Sequence, residues 1–236
     1  MEIKMNIVVL AGGISTERAV SIVSGTQVCK ALRTKGHQAI LVDVYCGTEA
    51  SDVSAAFAGE YDVDAAAAYM HTFDDKIAEM KKTRRQFFGP NVLELCQAAE
   101  VVFMALHGED GEGGKVQAVF DLMGIRYTGS GALGSAVAMD KGLSRKIFAA
   151  NGIPTAVGMT LKKCDERKAP SENGVGLPCV VKPCCGGSSV GVEIAHTEEA
   201  YTAALDNAFS YEEEVVVEQY IAGREFSCGV VEGKAY

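Results

Sequence analysis

A glycine- and serine-rich loop between two short apolar segments limits most strongly what this chain can fold into. Residues 177–181 and 190–195 are rich in apolar and β-branched residues and short enough to be β-strands. The loop that joins them holds Lys182 and, at 186–189, Gly-Gly-Ser-Ser. Because glycine lets a backbone approach a ligand closely, we predict a β-hairpin whose tip wraps phosphate oxygens, with Lys182 supplying positive charge. An ordinary mobile hairpin loop is the alternative. A Walker loop does not fit, because no Gly-Lys-Ser/Thr opens a helix here.

The composition of the chain excludes several kinds of partner. Its 236 residues are 48% apolar, which is enough for a sizeable core, and its net charge of −9 argues against nucleic acid as the main partner. We find no signal peptide before the first strand pattern and no apolar run that approaches membrane-spanning length. We therefore expect a cytoplasmic protein with no membrane partner. Four of the eight cysteines lie in apolar patterns and are expected to be core thiols of a reducing cytosol: Cys29, Cys46, Cys179 and Cys228.

The first part of the chain alternates apolar segments with helical patterns. A strand at 6–10 runs into Gly12 and Gly13, a helix follows to about residue 35, and a second strand lies at 38–45. This order predicts an α/β fold with a doubly wound, mostly parallel sheet, whose ligand sites lie at the carboxyl ends of the strands. The other elements expected here are strands at 101–106 and 125–131 and helices around 51–58, 74–83, 115–123 and 132–151, the last interrupted near 139–142.

The second part of the chain has the pattern of a small α+β subdomain with antiparallel strands. Thr197 is placed to cap a helix that runs to about residue 211. A strand at 214–221 follows, and residues 224–231 are expected to return antiparallel to it after a turn at Ala222-Gly223. A further strand is expected at 156–161, before the hairpin.

Several polar side chains follow the strands of the first part and are site candidates. Glu17 begins the first helix, where an acid commonly meets the helix dipole; if it faces the cleft, it could instead take a substrate ammonium. His107 directly follows a central strand, although a lone histidine in a loop is often structural. Lys141 could extend from a helix surface or bind a ligand. Asp43, at the end of the second strand, would be a weak anchor for a ribose.

Taken together, these segments resemble the D-alanine–D-alanine ligases of the ATP-grasp superfamily. Each motif alone is unspecific, but the segments occur in the family's order and span nearly the whole chain, and this series is highly specific. The matching stretches are residues 9–18, 106–108, 111–117, 127–131, 139–141, 181–183, 187–191 and 218–225.

The resemblance implies a division of the chain into three parts. Residues 1–138 would be an N-terminal amino-acid-binding (pre-ATP-grasp) domain, residues 139–222 a central ATP-grasp subdomain, and residues 223–236 the start of a C-terminal ATP-grasp domain. The family continues from there into the residues that carry its magnesium ligands. We therefore expect this chain to be a fragment or a natural truncation, inactive by itself and with no metal ligands of its own.

The resemblance also implies roles for single residues. Glu17 would hold the ammonium of the first D-alanine and form the catalytic group with Ser188, and His107 would lie close to the amino-acid pocket. Lys141 and Lys182 would pair with the α- and β-phosphates. The residues implied for ATP binding are Lys141, Lys182, Ser188, Ser189, Gly191, Glu218, Gln219, Ile221 and Glu225.

The implied reaction is the ligation of two D-alanines for peptidoglycan synthesis, and hence for cell-wall biogenesis and cell shape. ATP, accompanied by Mg²⁺, would phosphorylate the carboxylate of one D-alanine, and the amine of the second would attack the acylphosphate. The products would be D-alanyl-D-alanine, ADP and phosphate. The enzyme would act mostly by positioning, charge neutralisation and exclusion of water. The resemblance further implies a homodimer.

The sequence departs from the family's pattern in ways that leave alternatives open. Cys184-Cys185-Gly186 replaces charged or polar residues at the loop tip, and Gly113 stands where the glycine loop normally carries aspartate. A truncated, non-catalytic nucleotide-binding module therefore stays open, as does D-lactate in place of the second D-alanine. A dinucleotide-dependent oxidoreductase would not explain the Lys182 loop. At a flexible tip, Cys184 and Cys185 are expected to be the most reactive thiols.

Overall fold

The computed structural model describes residues 4–49, 53, 55–172 and 174–236. The chain forms two compact units. The first comprises Met1–Ser144 with Cys185–Ser188, and the second comprises Arg145–Cys184 with Ser189–Tyr236. The predicted domain limits at residues 139 and 223 stay predictions.

A three-stranded parallel sheet forms the centre of the first unit. Its strands are β1 (Asn6–Ala11), β2 (Gln38–Asp43) and β3 (Val101–Met104), in the order β2-β1-β3. Side chains alternate along β1: Val8 and Leu10 pack into one apolar core, and Val9 packs into another on the opposite face. A parallel sheet buried on both faces needs this nearly continuous apolar sequence.

Helices cover both faces of this sheet. On one face, Ile22 and Cys29 of α1 (Arg18–Thr34) and Met70 of α2 (Val63–His71) join the core with Val9. The opposite core contains side chains of α4 (Val92–Ala98) and α6 (Lys115–Met123), and the predicted doubly wound α/β class is thereby confirmed. The remaining helices of the first part of the chain are α3 (Ile77–Thr83), α5 (Glu109–Glu112), α7 (Ala132–Met139) and α8 (Lys141–Ala150), which runs on into the second unit.

The second unit is built on a four-stranded antiparallel sheet. Its strands are β4 (Gly158–Lys162), β5 (Cys179–Pro183), β6 (Glu193–Ala195) and β7 (Glu214–Gln219), in the order β4-β7-β5-β6. β5 and β6 form the predicted hairpin, with Cys179 opposite Ala195. α9 (Glu198–Tyr211) packs against this sheet through apolar side chains at helical spacing, and Thr197 accepts a hydrogen bond from Ala200 N at 3.2 Å, which confirms the predicted cap. The side chains that α9 contributes to the core are Tyr201, Ala204, Leu205, Ala208 and Phe209.

Some predicted elements differ from the structure. The strand expected at 224–231 is wrong: only β8 (Val230–Val231) pairs there, with β9 (Lys234–Ala235). Its side chains, such as Phe226 at 79% exposure, have no sheet face to cover. The strand expected at 125–131 is reduced to one bridge between Val102 and Tyr127. The helix expected at 51–58 falls, at residues 51, 52 and 54, outside the described residues. The helix at 74–83 is confirmed as a 3₁₀ turn followed by α3.

The cysteines occupy two different environments, and two expectations about them are wrong. Cys184 is only 2% exposed, because its backbone N–H still donates to Glu214 O at 3.2 Å beside β7. Cys228, expected in the core, is exposed outside the sheets. Cys185 is half-buried and Cys164 is exposed. Burial raises the pKa of Cys29 to about 11, and it raises the pKa of Cys96 to about 12.

We therefore expect the exposed thiols to react first with iodoacetamide in the native protein. Buried thiols are both inaccessible and held in the unreactive protonated form. The measurement is a time course of alkylation read residue by residue by mass spectrometry, with a urea-unfolded sample in which the rates should converge. Alkylation of Cys184 as fast as that of Cys228 would contradict the burial of Cys184. The expected order is Cys164 and Cys228 first, Cys185 next, and the buried Cys29, Cys46, Cys96, Cys179 and Cys184 last.

Candidate active site

The turn between β1 and α1 requires its two glycines. Gly12 and Gly13 have φ of +75° and +85°, a region that favours glycine. A Cβ on Gly12 would lie 2.5 Å from Asp43 Oδ2, and a Cβ on Gly13 would lie 2.5 Å from Asp110 Oδ2. The turn is therefore packed tightly between two carboxylates, and it leads directly into Glu17 at the start of α1.

The Glu17 side chain faces loops rather than its own helix. It makes no capping hydrogen bond to α1. Instead its Oε1 accepts a hydrogen bond from the hydroxyl of Ser188, and its Oε2 lies 2.8 Å from where a Cβ on Gly108 would stand. A carboxylate turned toward two glycine-containing loops favours ligand binding over the purely structural interpretation of Glu17. The structure thus brings together the two residues predicted to form the catalytic group.

His107 contacts α1 directly and the turn before α1 through its backbone. Its Nε2 lies 3.2 Å from Ser24 Oγ, and its backbone carbonyl accepts a hydrogen bond from the Ser15 hydroxyl at 2.9 Å. Ser15 Oγ also accepts from the backbone N–H of Glu17 at 3.2 Å. Ser15 therefore links the backbone of His107 to the backbone of Glu17. The position of His107 near an amino-acid pocket stays a prediction.

Asp110 belongs to this site although it was not among the predicted residues. Its Oδ2 accepts hydrogen bonds from the backbone N–H of Ile14 and from that of Ser15, the latter at 2.7 Å. Burial raises the pKa of Asp110, and the two N–H bonds partly oppose that shift. The sequence signal for it was the concentration of acid and glycine in residues 107–114, which did not indicate which acid mattered.

A buried arginine holds the other side of the turn. Arg18 Nη1 lies 2.7 Å from Asp43 Oδ2, and these side chains are 10% and 0% exposed. The guanidinium also donates to Gly13 O and Met70 O, both at 2.8 Å, and to Asp74 Oδ1 at 2.9 Å. Asp43 is therefore neutralised by Arg18, so it is not placed as a ribose anchor.

Lys141 begins α8 and lines a cavity of the first unit. Its Nζ donates to Gly186 O at 2.8 Å, so it contacts the glycine loop rather than only extending from a helix surface. The cavity encloses about 500 Å³. Its lining is mixed: Glu112, Gln117, Thr128, Ser130 and Lys141 contribute polar groups, and Met104, Leu106, Ala138 and Met139 contribute apolar ones.

In the second unit, Lys182 forms an ion pair with Glu218 across neighbouring strands. The side chains are 21% and 16% exposed, and Arg145 Nε lies 3.6 Å from the same carboxylate. The Glu218 carboxylate is thus shared by two cations and fixes the charge of Lys182 at the end of β5. Any contact of Glu218 with an adenine would have to share that carboxylate with them.

The other predicted ATP ligands lie after β5 and at the end of β7. Ser188 and Ser189 are exposed and have φ of 51° and 57°. Gly191 has φ of +69°, and a Cβ placed on it would lie within 3 Å of Pro183 and of the Tyr211 ring. The backbone N–H of Gln219 donates to Val157 O at 2.7 Å, and the Gln219 side chain is exposed. The side chains of Ile221 and Glu225 are also exposed. The individual roles of these residues in ATP binding stay predictions.

Neither a metal cluster nor a spanning helix is found in the described part of the chain. Within residues 4–49, 53, 55–172 and 174–236, no group of three or more His, Cys, Asp or Glu side chains could hold a metal ion. Among the helices of these same ranges, none is both long and apolar enough to cross a bilayer.

Two protein-family models match this chain. The family model described as D-ala D-ala ligase N-terminus matches residues 6–130, and the one described as D-ala D-ala ligase C-terminus matches residues 147–236. The D-alanine–D-alanine ligase of Lacticaseibacillus casei is 44% identical, over 98% of this chain and 66% of that protein. The ligase of Pediococcus pentosaceus is 43% identical, over 98% of this chain and 67% of that protein. The chain thus spans about two thirds of the length of these relatives.

Solved structures of ligases have the same fold. D-alanine–D-alanine ligase from Bacillus anthracis, complexed with ATP, aligns with a TM-score of 0.72 at 27% identity, over 98% of this chain and 64% of that one. The VanG D-Ala:D-Ser ligase from Enterococcus faecalis aligns with a TM-score of 0.67 at 26% identity, over 94% of this chain and 64% of that one. Since the N-terminal family model covers more than half of the residues and the relatives align along nearly the whole sequence, the chain belongs to the D-alanine–D-alanine ligase family.

Proposed function

We propose that the protein carrying this chain is an ATP-dependent ligase that joins two D-alanines. The carboxylate of the first D-alanine attacks the γ-phosphorus of ATP and gives an acylphosphate and ADP. The amine of the second then attacks the acyl carbon, phosphate leaves, and the amine loses a proton. Glu17 takes the ammonium of the first D-alanine, and His107 lies near that amino acid.

The hydrogen bond between Ser188 and Glu17 is the observation that supports this proposal most. It joins a carboxylate suited to an ammonium with the hydroxyl of a loop suited to phosphate. In phosphoryl transfer, a protein acts almost entirely by positioning the two partners and by stabilising the charge that develops between them. Lys141 and Lys182 neutralise the phosphates in this proposal, and Ser189 and Gly191 continue the loop around them.

The proposal has finer parts that rest on family membership. The ligase acts in the cytoplasm, as a homodimer, in peptidoglycan synthesis, and adenine and ribose are held by Glu218, Gln219, Ile221 and Glu225. Magnesium accompanies the triphosphate. Among the described residues, no group of three or more His, Cys, Asp or Glu side chains could hold that ion.

The test is phosphate release from ATP by the protein as its gene encodes it, with and without D-alanine. We expect release that depends on D-alanine and a dipeptide detected by chromatography. D-serine and D-lactate, each added with limiting D-alanine, identify the second substrate. ATP binding by calorimetry without amino-acid-dependent phosphate release would support the alternative, a nucleotide-binding module without catalysis.

A substitution at Glu17 tests the amino-acid site specifically. Glu17→Gln keeps the shape and a hydrogen bond to Ser188 but removes the charge that meets an ammonium. We expect the KM for the first D-alanine to rise about tenfold while the KM for ATP stays unchanged. Steady-state kinetics with each substrate varied in turn provide the measurement. Normal D-alanine kinetics would return Glu17 to its structural interpretation as an acid at a helix start.

A further inference from the structure

Asp110 connects two segments that are far apart in the sequence. It lies on α5, directly after the His107 loop, and its Oδ2 accepts the N–H groups of both Ile14 and Ser15, 96 and 95 residues away. Two adjacent N–H groups aimed at one carboxylate oxygen make charge-assisted hydrogen bonds, which are stronger than bonds between neutral groups. The turn after β1 is therefore held by a residue outside it.

The hydrogen bonds continue from Ser15 to Glu17. Ser15 Oγ donates to His107 O at 2.9 Å and accepts from Glu17 N at 3.2 Å. Where Asp110 holds the backbone of Ser15, the Ser15 side chain is in turn placed to hold the backbone of Glu17. The carboxylate of Glu17 in turn accepts a hydrogen bond from the hydroxyl of Ser188.

The packing around this chain of contacts leaves little freedom. A Cβ on Gly13 would stand 2.5 Å from Asp110 Oδ2, and a Cβ on Gly108 would stand 2.8 Å from Glu17 Oε2 and 3.2 Å from Ser15 Oγ. Both glycines have positive φ, at +85° and +71°. The backbone of each loop thus lies directly against a carboxylate, so a displaced Asp110 would leave space into which the turn can move.

We propose that Asp110 is a positioning residue of the ligase: its carboxylate clamps the turn between β1 and α1 and thereby sets the place of Glu17. The inference rests on the proposed function, in which Glu17 takes the ammonium of the first D-alanine. Asp110 itself touches the turn and not the substrate. Its loss therefore acts on amino-acid binding through Glu17.

The test compares Asp110→Ala with Glu109→Ala, a substitution of its neighbour on α5. Glu109 pairs with Lys115 on the surface, where the side chains are 58% and 80% exposed, and serves as the matched control. Amide hydrogen exchange read by NMR measures the clamp without any activity. We expect the Ile14, Ser15 and Glu17 amides to exchange about tenfold faster in Asp110→Ala and at the native rate in Glu109→Ala.

Steady-state kinetics complete the test. We expect Asp110→Ala to raise the KM for the first D-alanine about tenfold while leaving the KM for ATP unchanged, and Asp110→Asn, which keeps an acceptor oxygen, to raise it about threefold. If Asp110→Ala does not fold, Asp110→Asn carries both measurements with that smaller shift.

Each outcome decides the proposal. Native exchange at Ile14 and Ser15 overturns the clamp, and fast exchange with a native KM for D-alanine shows a structural contact only, which overturns the positioning role. If the wild-type protein has no D-alanine-dependent turnover, the proposed function fails, and the exchange of the Glu17 amide still decides whether Asp110 sets the place of Glu17.

Discussion

Replacing Arg18 by methionine should lower the free energy of unfolding by about 3–5 kcal/mol, because it leaves a buried charge without its partner. Asp43 is 0% exposed and lies 2.7 Å from the guanidinium. The same side chain donates to Gly13 O, Met70 O and Asp74 Oδ1, and all three acceptors lose this hydrogen bond in the variant. The measurement is urea unfolding followed by circular dichroism and extrapolated to water.

A second pair on the same helix provides the control. Lys30 Nζ lies 2.6 Å from Asp64 Oδ1 and also joins α1 to α2, but the side chains are 50% and 73% exposed. Lys30→Met should therefore cost less than about 1 kcal/mol. Adding Asp43→Asn to Arg18→Met should recover part of the loss, since it removes the uncompensated charge. Equal costs for Arg18→Met and Lys30→Met would mean that the Arg18–Asp43 pair contributes no more than a surface pair.

Replacing Lys182 by alanine should weaken ATP binding roughly 10- to 100-fold, because a charge-assisted contact to phosphate contributes about 1.5–3 kcal/mol. The side chain is 21% exposed at the end of β5, so the contact is shielded from water more than a surface lysine would be. Stability should fall less than in Arg18→Met, because the Glu218 carboxylate keeps a second cation, Arg145, at 3.6 Å. Calorimetric titration with ATP gives the affinity, and thermal unfolding gives the stability.

Lys162→Ala is the matched control for Lys182. It removes a lysine from a strand of the same sheet, where Lys162 Nζ lies 3.3 Å from Glu214 Oε1 and the side chains are 63% and 45% exposed. We expect native ATP affinity in this variant. An equal loss of affinity in both variants would point to a general effect of charge, and native affinity in Lys182→Ala would refute the phosphate-loop interpretation.

Local patterns in the sequence were enough to predict most of the fold. The apolar strands β1 and β3, predicted at 6–10 and 101–106, the α6 helix and the Thr197 cap follow from periodicity and turn chemistry. These patterns involve residues only a few positions apart. The same patterns failed at residues 224–231, where only Val230–Val231 forms a strand and its side chains do not pack into a core. They also missed α2, whose alanine-rich sequence buries little beyond Val63 and Met70.

By itself, the sequence determined the order of the strands and helices, the glycine turn before Glu17 and the hairpin loop after Lys182. Only the tertiary structure decided which side chains pair: Arg18 with Asp43, Lys182 with Glu218, Asp110 with the Ile14–Ser15 backbone, and Glu17 with Ser188, 171 residues away. The physical reason is that helix and strand propensities act between neighbours in sequence, whereas the partner of a carboxylate or a cation is set by which loops the packed sheets bring together.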